Sequence, residues 1–117
     1  NKQGAGGNET MFNRLSVQDF MKKKKSGWNP YFIDVRSDLE YASVKIKSID
    51  IQVPHEDITS IMADIPNDRD IVIHCKSGMR SQMACMLLNN AGIDASRLHN
   101  LEGGIMAYST LVPDDIE

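Results

Sequence analysis

Four short apolar runs, interleaved with segments of helical character, constrain this chain more than any other feature. "YFIDV" (31–35) is a continuous apolar run after Pro30, and "SIDIQVP" (48–54) alternates apolar and polar residues and stops at Pro54. "DIVIHC" (70–75) is rich in β-branched residues, and "SRLHNL" (96–101) closes the series. Each reads as a strand.

The intervening segments read as helices. Ser16 can cap the free N–H groups of "SVQDFMKKKKSG", with Asp19 in the first turn, Gly27 past the end, and Leu15 and Phe20 as a hydrophobic staple. Lysines 22–25 then read as a solvated helix end rather than a docking patch. Ser37 opens a short helix in "SDLEYASVKI". "HEDITSIMADI" carries Ile58, Ile61, Met62 and Ile65 at helical spacing and ends before Pro66. "MRSQMACMLLNNAG" places Met83, Ala84, Leu87, Leu88 and Ala91 on one stripe and closes at Gly92, while "EGGIMAYSTLV" is a last helix or turn. Apolar strands separated by helices predict a parallel sheet covered on both faces. Ligands of such sheets bind at the carboxyl ends of the strands. Cys75 lies at one of those ends.

Composition removes several function classes. At 117 residues, 41% hydrophobic and 25% charged, the chain suits one globular domain. A net charge of −3 gives no nucleic-acid footprint. No apolar run approaches the roughly 18 residues of a membrane span, and the N-terminus lacks a signal core. Two cysteines are too few for a disulfide framework, so a reduced, cytoplasmic chain is expected. A Cys75–Cys85 bridge would depend on geometry. Residues 1–12 read as a flexible arm or interdomain linker and 13–117 as the domain. A glycine-rich start without methionine suits a piece of a longer protein.

The junction "CKSGMRS" carries the chemistry. A tight loop containing Gly78 can turn its N–H groups into an anion cradle, and the following helix adds its positive pole. Lys76 and Arg80 bring formal charge. All of these favour a thiolate on Cys75, and the thiolate is the nucleophile. Read alone, Cys75 could equally be a small buried hydrophobe ending a strand. His74 should point to the opposite face of the sheet, packed or capped. His55 and His99 have no ligand spacing with the cysteines, so no metal site is expected. Cys85, on the flank of the helical stripe, reads as packing, with a resolving thiol as the other reading.

With these residues on the page, the chain resembles the rhodanese family of sulfurtransferases from about Leu15 to Leu111. "IDVRSDLEY" is similar to the family's Asp-Val-Arg signature at Asp34, Val35 and Arg36, followed by Glu40. "CKSGMRS" is similar to its active-site loop, and "NLEGGIMAY" to its Gly-Gly signature at Gly103 and Gly104. The chain departs from the family at "SVKIKSIDIQVP", where many members carry Gly-His-Ile, and at Tyr108, where tryptophan is usual. The pattern most resembles rhodanese domains fused behind adenylyltransferases of the molybdopterin-synthase or thiamine-thiocarboxylate type.

The resemblance implies a single rhodanese-like α/β domain, with a central parallel sheet of about five strands flanked by helices on both faces. It implies Cys75 as a persulfide carrier, surrounded by Lys76, Ser77, Gly78, Met79, Arg80 and Ser81, with Arg80 and Lys76 orienting an anionic donor or acceptor. Asp34, Arg36 and Glu40 would stand behind the loop, with Arg36 and Glu40 either paired or in contact with substrate. The donor would be thiosulfate or a cysteine desulfurase, and the acceptor a nucleophile or a ubiquitin-like sulfur-carrier protein. No cofactor is implied. Phosphatases and arsenate reductases of the same fold use a Cys-x5-Arg loop, whereas Cys75 and Arg80 are separated by four residues. Docking modules of this type commonly lack the cysteine.

Overall fold

The computed structural model describes residues 12–117. Five strands, β1 (Asn13–Leu15), β2 (Tyr31–Asp34), β3 (Ile51–Gln52), β4 (Ile71–His74) and β5 (Leu98–Leu101), form one sheet in the order β1-β5-β4-β2-β3. Every pairing is parallel. The helices are α1 (Val17–Lys25), α2 (Asp38–Ser43), α3 (Met79–Asn90) and α4 (Gly104–Leu111). The expected sheet is present. The arm expected over residues 1–12 lies outside the described residues except for Phe12, which is buried.

Alternation along β4 sorts the core onto two faces. Ile71, Ile73 and Cys75 pack with Ile33, Ile58, Ala84, Cys85 and Leu88 under α3. Val72 faces the other way, among Phe20, Phe32, Leu101, Ile105 and Tyr108 under α1 and α4. His74 joins that second face, its ring 5.5 Å from Phe32, as alternation predicts. Tyr108 fills the place where tryptophan is usual; it is buried and donates to Asp115 Oδ2 at 2.7 Å.

The capping signals hold: Ser16 Oγ accepts from Asp19 N at 3.1 Å, and Ser37 and Glu40 form a full capping box. Lys22 to Lys25 end α1, and Lys23 Nζ lies 4.8 Å from the Trp28 ring.

Three expectations need correction. β1 has only three residues, too short for a visible period, and the sequence did not announce it. "HEDITSIMADI" is a 3-10 helix over His55–Asp64 rather than an α-helix, which still buries Ile58. The buried stripe of α3 is Ser81, Ala84, Cys85 and Leu88, with Met83 48% exposed and Ala91 also outside. The cause lies at the start of α3, where Ser81 is turned toward Cys75 and sets the rotation of the helix.

Candidate active site

Cys75 follows the last residue of β4 and is 1% exposed. Gly78 (φ +113°) reverses the chain there and stands at the N-cap of α3. That left-handed conformation suits glycine. It directs the Gly78 N–H at Cys75 Sγ, 3.0 Å away. Ser81 Oγ lies 3.4 Å from the same sulfur. Burial pushes the Cys75 thiol up, but the Ser81 hydroxyl and the N–H groups of Ser81, Gly78 and Ser77 outweigh it. The net direction is down, toward the thiolate.

A closed ring of hydrogen bonds holds this cradle. Ser81 Oγ, with one proton to give to either Cys75 Sγ or Asn100 Oδ1, lies 2.5 Å from Asn100 Oδ1, Asn100 Nδ2 donates to Gly78 O at 3.1 Å, and Gly78 N returns to Cys75 Sγ. Asn100 was not among the residues expected from sequence. Its signal was available: an amide side chain near the carboxyl end of a strand, immediately before "LEGG".

The Gly-Gly pair fixes the loop from below. Ile105 N donates to Cys75 O at 2.9 Å and Met106 N to Lys76 O at 3.3 Å. So close an approach needs glycine at 104, where a Cβ would lie 2.6 Å from Lys76 O.

The charged residues sort differently from expectation. Arg36 and Glu40 do not pair through their side chains. Arg36, 2% exposed, places Nη2 2.8 Å from Asp34 Oδ2 and also donates to Val44 O. Burial pushes Asp34 up, yet the adjoining His74 ring and Arg36 bring it down to about 2. Glu40 instead takes Arg80 in a bidentate pair, at 2.6 and 2.9 Å. Arg80 draws the Glu40 carboxyl far below the usual carboxylate range, helped by Ser37. The local reason is the capping box, which aims Glu40 at the start of α3. Arg80 is therefore occupied rather than open to an anion.

Of the remaining loop residues, Ser77, Met79 and Lys76 are exposed, and Met79 is 79% so. Two clefts flank the loop. One, of about 390 Å³, is lined by Ser77, Met79, Asn100 and Glu102 among others; the second, of about 360 Å³, by Lys76, Glu40, Ile105 and Met106. Both cysteines are free. Cys85 is buried in the core, and burial raises its thiol to about 12. No group of three His, Cys, Asp or Glu arranged for a metal occurs among the described residues. No helix among them is long and apolar enough to cross a membrane.

Comparison with known proteins places this geometry. A family model described as the rhodanese-like domain matches residues 16–111. A protein of Allochromatium vinosum named "Sulfurtransferase" is 34% identical over 99 residues, 85% of this chain and 90% of that protein. The "Probable adenylyltransferase/sulfurtransferase MoeZ" of Mycobacterium tuberculosis is 34% identical over 93 residues, 78% of this chain but 23% of that one. The crystal structure of reduced Bacillus anthracis CoADR-RHD superposes with a TM-score of 0.73 at 28% identity, over 91% of this chain and 18% of that chain.

Proposed function

This chain belongs to the rhodanese-like domain family of sulfurtransferases, and on that premise we propose that Cys75 carries sulfane sulfur as a persulfide. The observation that carries the reading is the Cys75 sulfur itself, buried yet held toward the thiolate by the Ser81 hydroxyl and converging N–H groups. The thiolate attacks the outer sulfur of a donor, the donor's S–S bond breaks, and its electron pair leaves with the donor fragment. From thiosulfate that fragment is sulfite. Cyanide, or another nucleophile, then takes the outer sulfur and returns Cys75 to the thiolate. The N–H groups that favour the thiolate would equally hold the terminal sulfur anion.

The likeness to MoeZ, named an adenylyltransferase/sulfurtransferase, supports a place in a relay that ends on an activated carboxylate, and we assign to it a cysteine desulfurase as donor and a ubiquitin-like carrier as acceptor, in the cytoplasm. There the terminal sulfur would attack the carrier's acyl adenylate and expel AMP, and an external thiol attacking Cys75 Sγ of the resulting acyl disulfide would release the thiocarboxylate and remain as a mixed disulfide on Cys75. The Cys-x4-Arg spacing and the engagement of Arg80 by Glu40 weigh against phosphate or arsenate chemistry. The intact loop and cysteine weigh against a purely docking role.

The test is intact-mass analysis after prolonged incubation with excess thiosulfate. A gain of about 32 Da, one sulfur, on the Cys75 peptide is expected. Thiocyanate production with cyanide should accompany it and vanish in Cys75→Ser. Undiminished turnover in that variant would sink the assignment.

A further inference from the structure

His74 is fully buried beside Cys75, and the sulfur-transfer steps above leave its ring without a role. It stands on the sheet face opposite α3, with each ring nitrogen set against an oxygen. Nδ1 lies 3.0 Å from the Cys75 carbonyl oxygen. Nε2, buried and without a hydrogen bond of good geometry, lies 3.4 Å from Asp34 Oδ2.

These two contacts restrict the protons on the ring. A carbonyl oxygen only accepts, so Nδ1 must carry a proton to meet Cys75 O. Asp34 is ionised under the hydrogen bonds that Arg36 gives it from Nε and Nη2, and its Oδ2 likewise only accepts. A bare Nε2 would turn its lone pair on that carboxylate inside the core, where no water screens the mismatch. Either neutral tautomer satisfies one oxygen and opposes the other. Only the imidazolium, with a proton on each nitrogen, meets both.

The charges around the loop give that second proton a consequence. Glu40 and Arg80 cancel in their bidentate pair, and Asp34 balances Arg36. A protonated His74 is then the unbalanced cation behind Cys75, with no solvent around it. The charged groups on its side come from the end of β2: Asp34 and, through it, Arg36. α4 contributes an uncharged donor, the Ile105 N–H, which meets the same Cys75 oxygen at 2.9 Å. Two donors on that carbonyl, one of them cationic, hold the cysteine main chain and favour negative charge on its sulfur.

Resting on the sulfurtransferase reading above, we propose that His74 is a positioning residue for the reaction: as an imidazolium bridging Asp34 to the Cys75 carbonyl, it supplies the positive charge that favours the thiolate and then the persulfide anion. The cation expected from sequence at Arg80 is thereby replaced from the opposite face of the sheet.

Nitrogen NMR of the histidine-labelled chain at neutral pH reads the ring directly. Both His74 nitrogens should show the protonated signature of an imidazolium, at a pH where a free histidine is mostly neutral. His74→Asn sets an amide N–H where Nδ1 stands and removes the charge. The pH midpoint of Cys75 alkylation should then rise by about one unit, so that alkylation below the midpoint slows about tenfold. Sulfur loading from excess thiosulfate should slow with it. Continued protection of Cys85 from the alkylating agent shows that the variant is folded; should it unfold, the nitrogen spectrum of the parent chain decides alone. A neutral His74 ring, or an unmoved midpoint in folded His74→Asn, would overturn the proposal while leaving the sulfurtransferase reading intact. A parent chain that gains no sulfur from thiosulfate would overturn both.

Discussion

Gly104 lies directly beneath the main chain of Cys75, with no room between them for a methyl group. The first turn of α4 thereby delivers the Ile105 N–H to the Cys75 carbonyl at 2.9 Å. Gly104 of the Gly-Gly signature is a packing requirement of the active loop. Gly104→Ala should therefore destabilise the domain by about 2–3 kcal/mol through overpacking and a strained positive φ. Denaturant unfolding reads the stability loss, and sulfur loading should fall with it. A variant of unchanged stability would refute the contact.

Ser81→Ala removes the hydroxyl 3.4 Å from Cys75 Sγ. Since that group helps hold the thiol down against its burial, the pH midpoint of Cys75 alkylation should move up. Iodoacetamide modification at neutral pH should slow correspondingly. A midpoint that stays put or falls would show that the backbone N–H groups suffice.

Asp34 links stability to acid. Its folded value of about 2 lies below the ordinary carboxylate value. The stabilisation is therefore complete above about pH 4 and lost as pH falls toward 2, and it amounts to about 2 kcal/mol. Asp34→Asn should flatten the pH dependence of unfolding across that window. It should also cost about 3–5 kcal/mol at neutral pH, because Arg36 is left buried without its partner. An acid-unfolding profile identical to that of the parent chain would exclude this role.

Cys85 should be inert. With its thiol raised to about 12, the native protein should take one alkyl group, on Cys75, and a second only in denaturant. Cys85→Ser should keep sulfur transfer while lowering stability by about 1–3 kcal/mol, the cost of a hydroxyl without an assured partner in the core. Loss of transfer at unchanged stability would point instead to a resolving thiol.

The strand–helix alternation, the parallel sheet and the placement of Cys75 at a strand end were all legible, because periodicity and turn chemistry are local. Ser16 and Ser37 announced their helices for the same reason. The turn that aims N–H groups of the Cys75–Ser81 loop at the sulfur was legible from its glycine and the helix start, whereas the expected cation Arg80 is taken by Glu40. β1 was not legible, since three residues carry no period and their place comes from pairing with β5.

Long-range pairing was the rest of what escaped the chain read linearly. Arg36 lies four residues before Glu40, at helical spacing, yet each takes another partner: Arg36 finds Asp34 at the end of β2, and Glu40 finds Arg80 forty positions away. Asn100 closes the ring around the sulfur from a different strand. The sequence by itself determined the fold class and singled out the strand-end cysteine, through signals that act within one turn or one strand. Only the tertiary structure decided which charges surround that cysteine and which are already engaged. An ion pair is chosen by distance and burial in three dimensions, and neither is written in the spacing of residues along the chain.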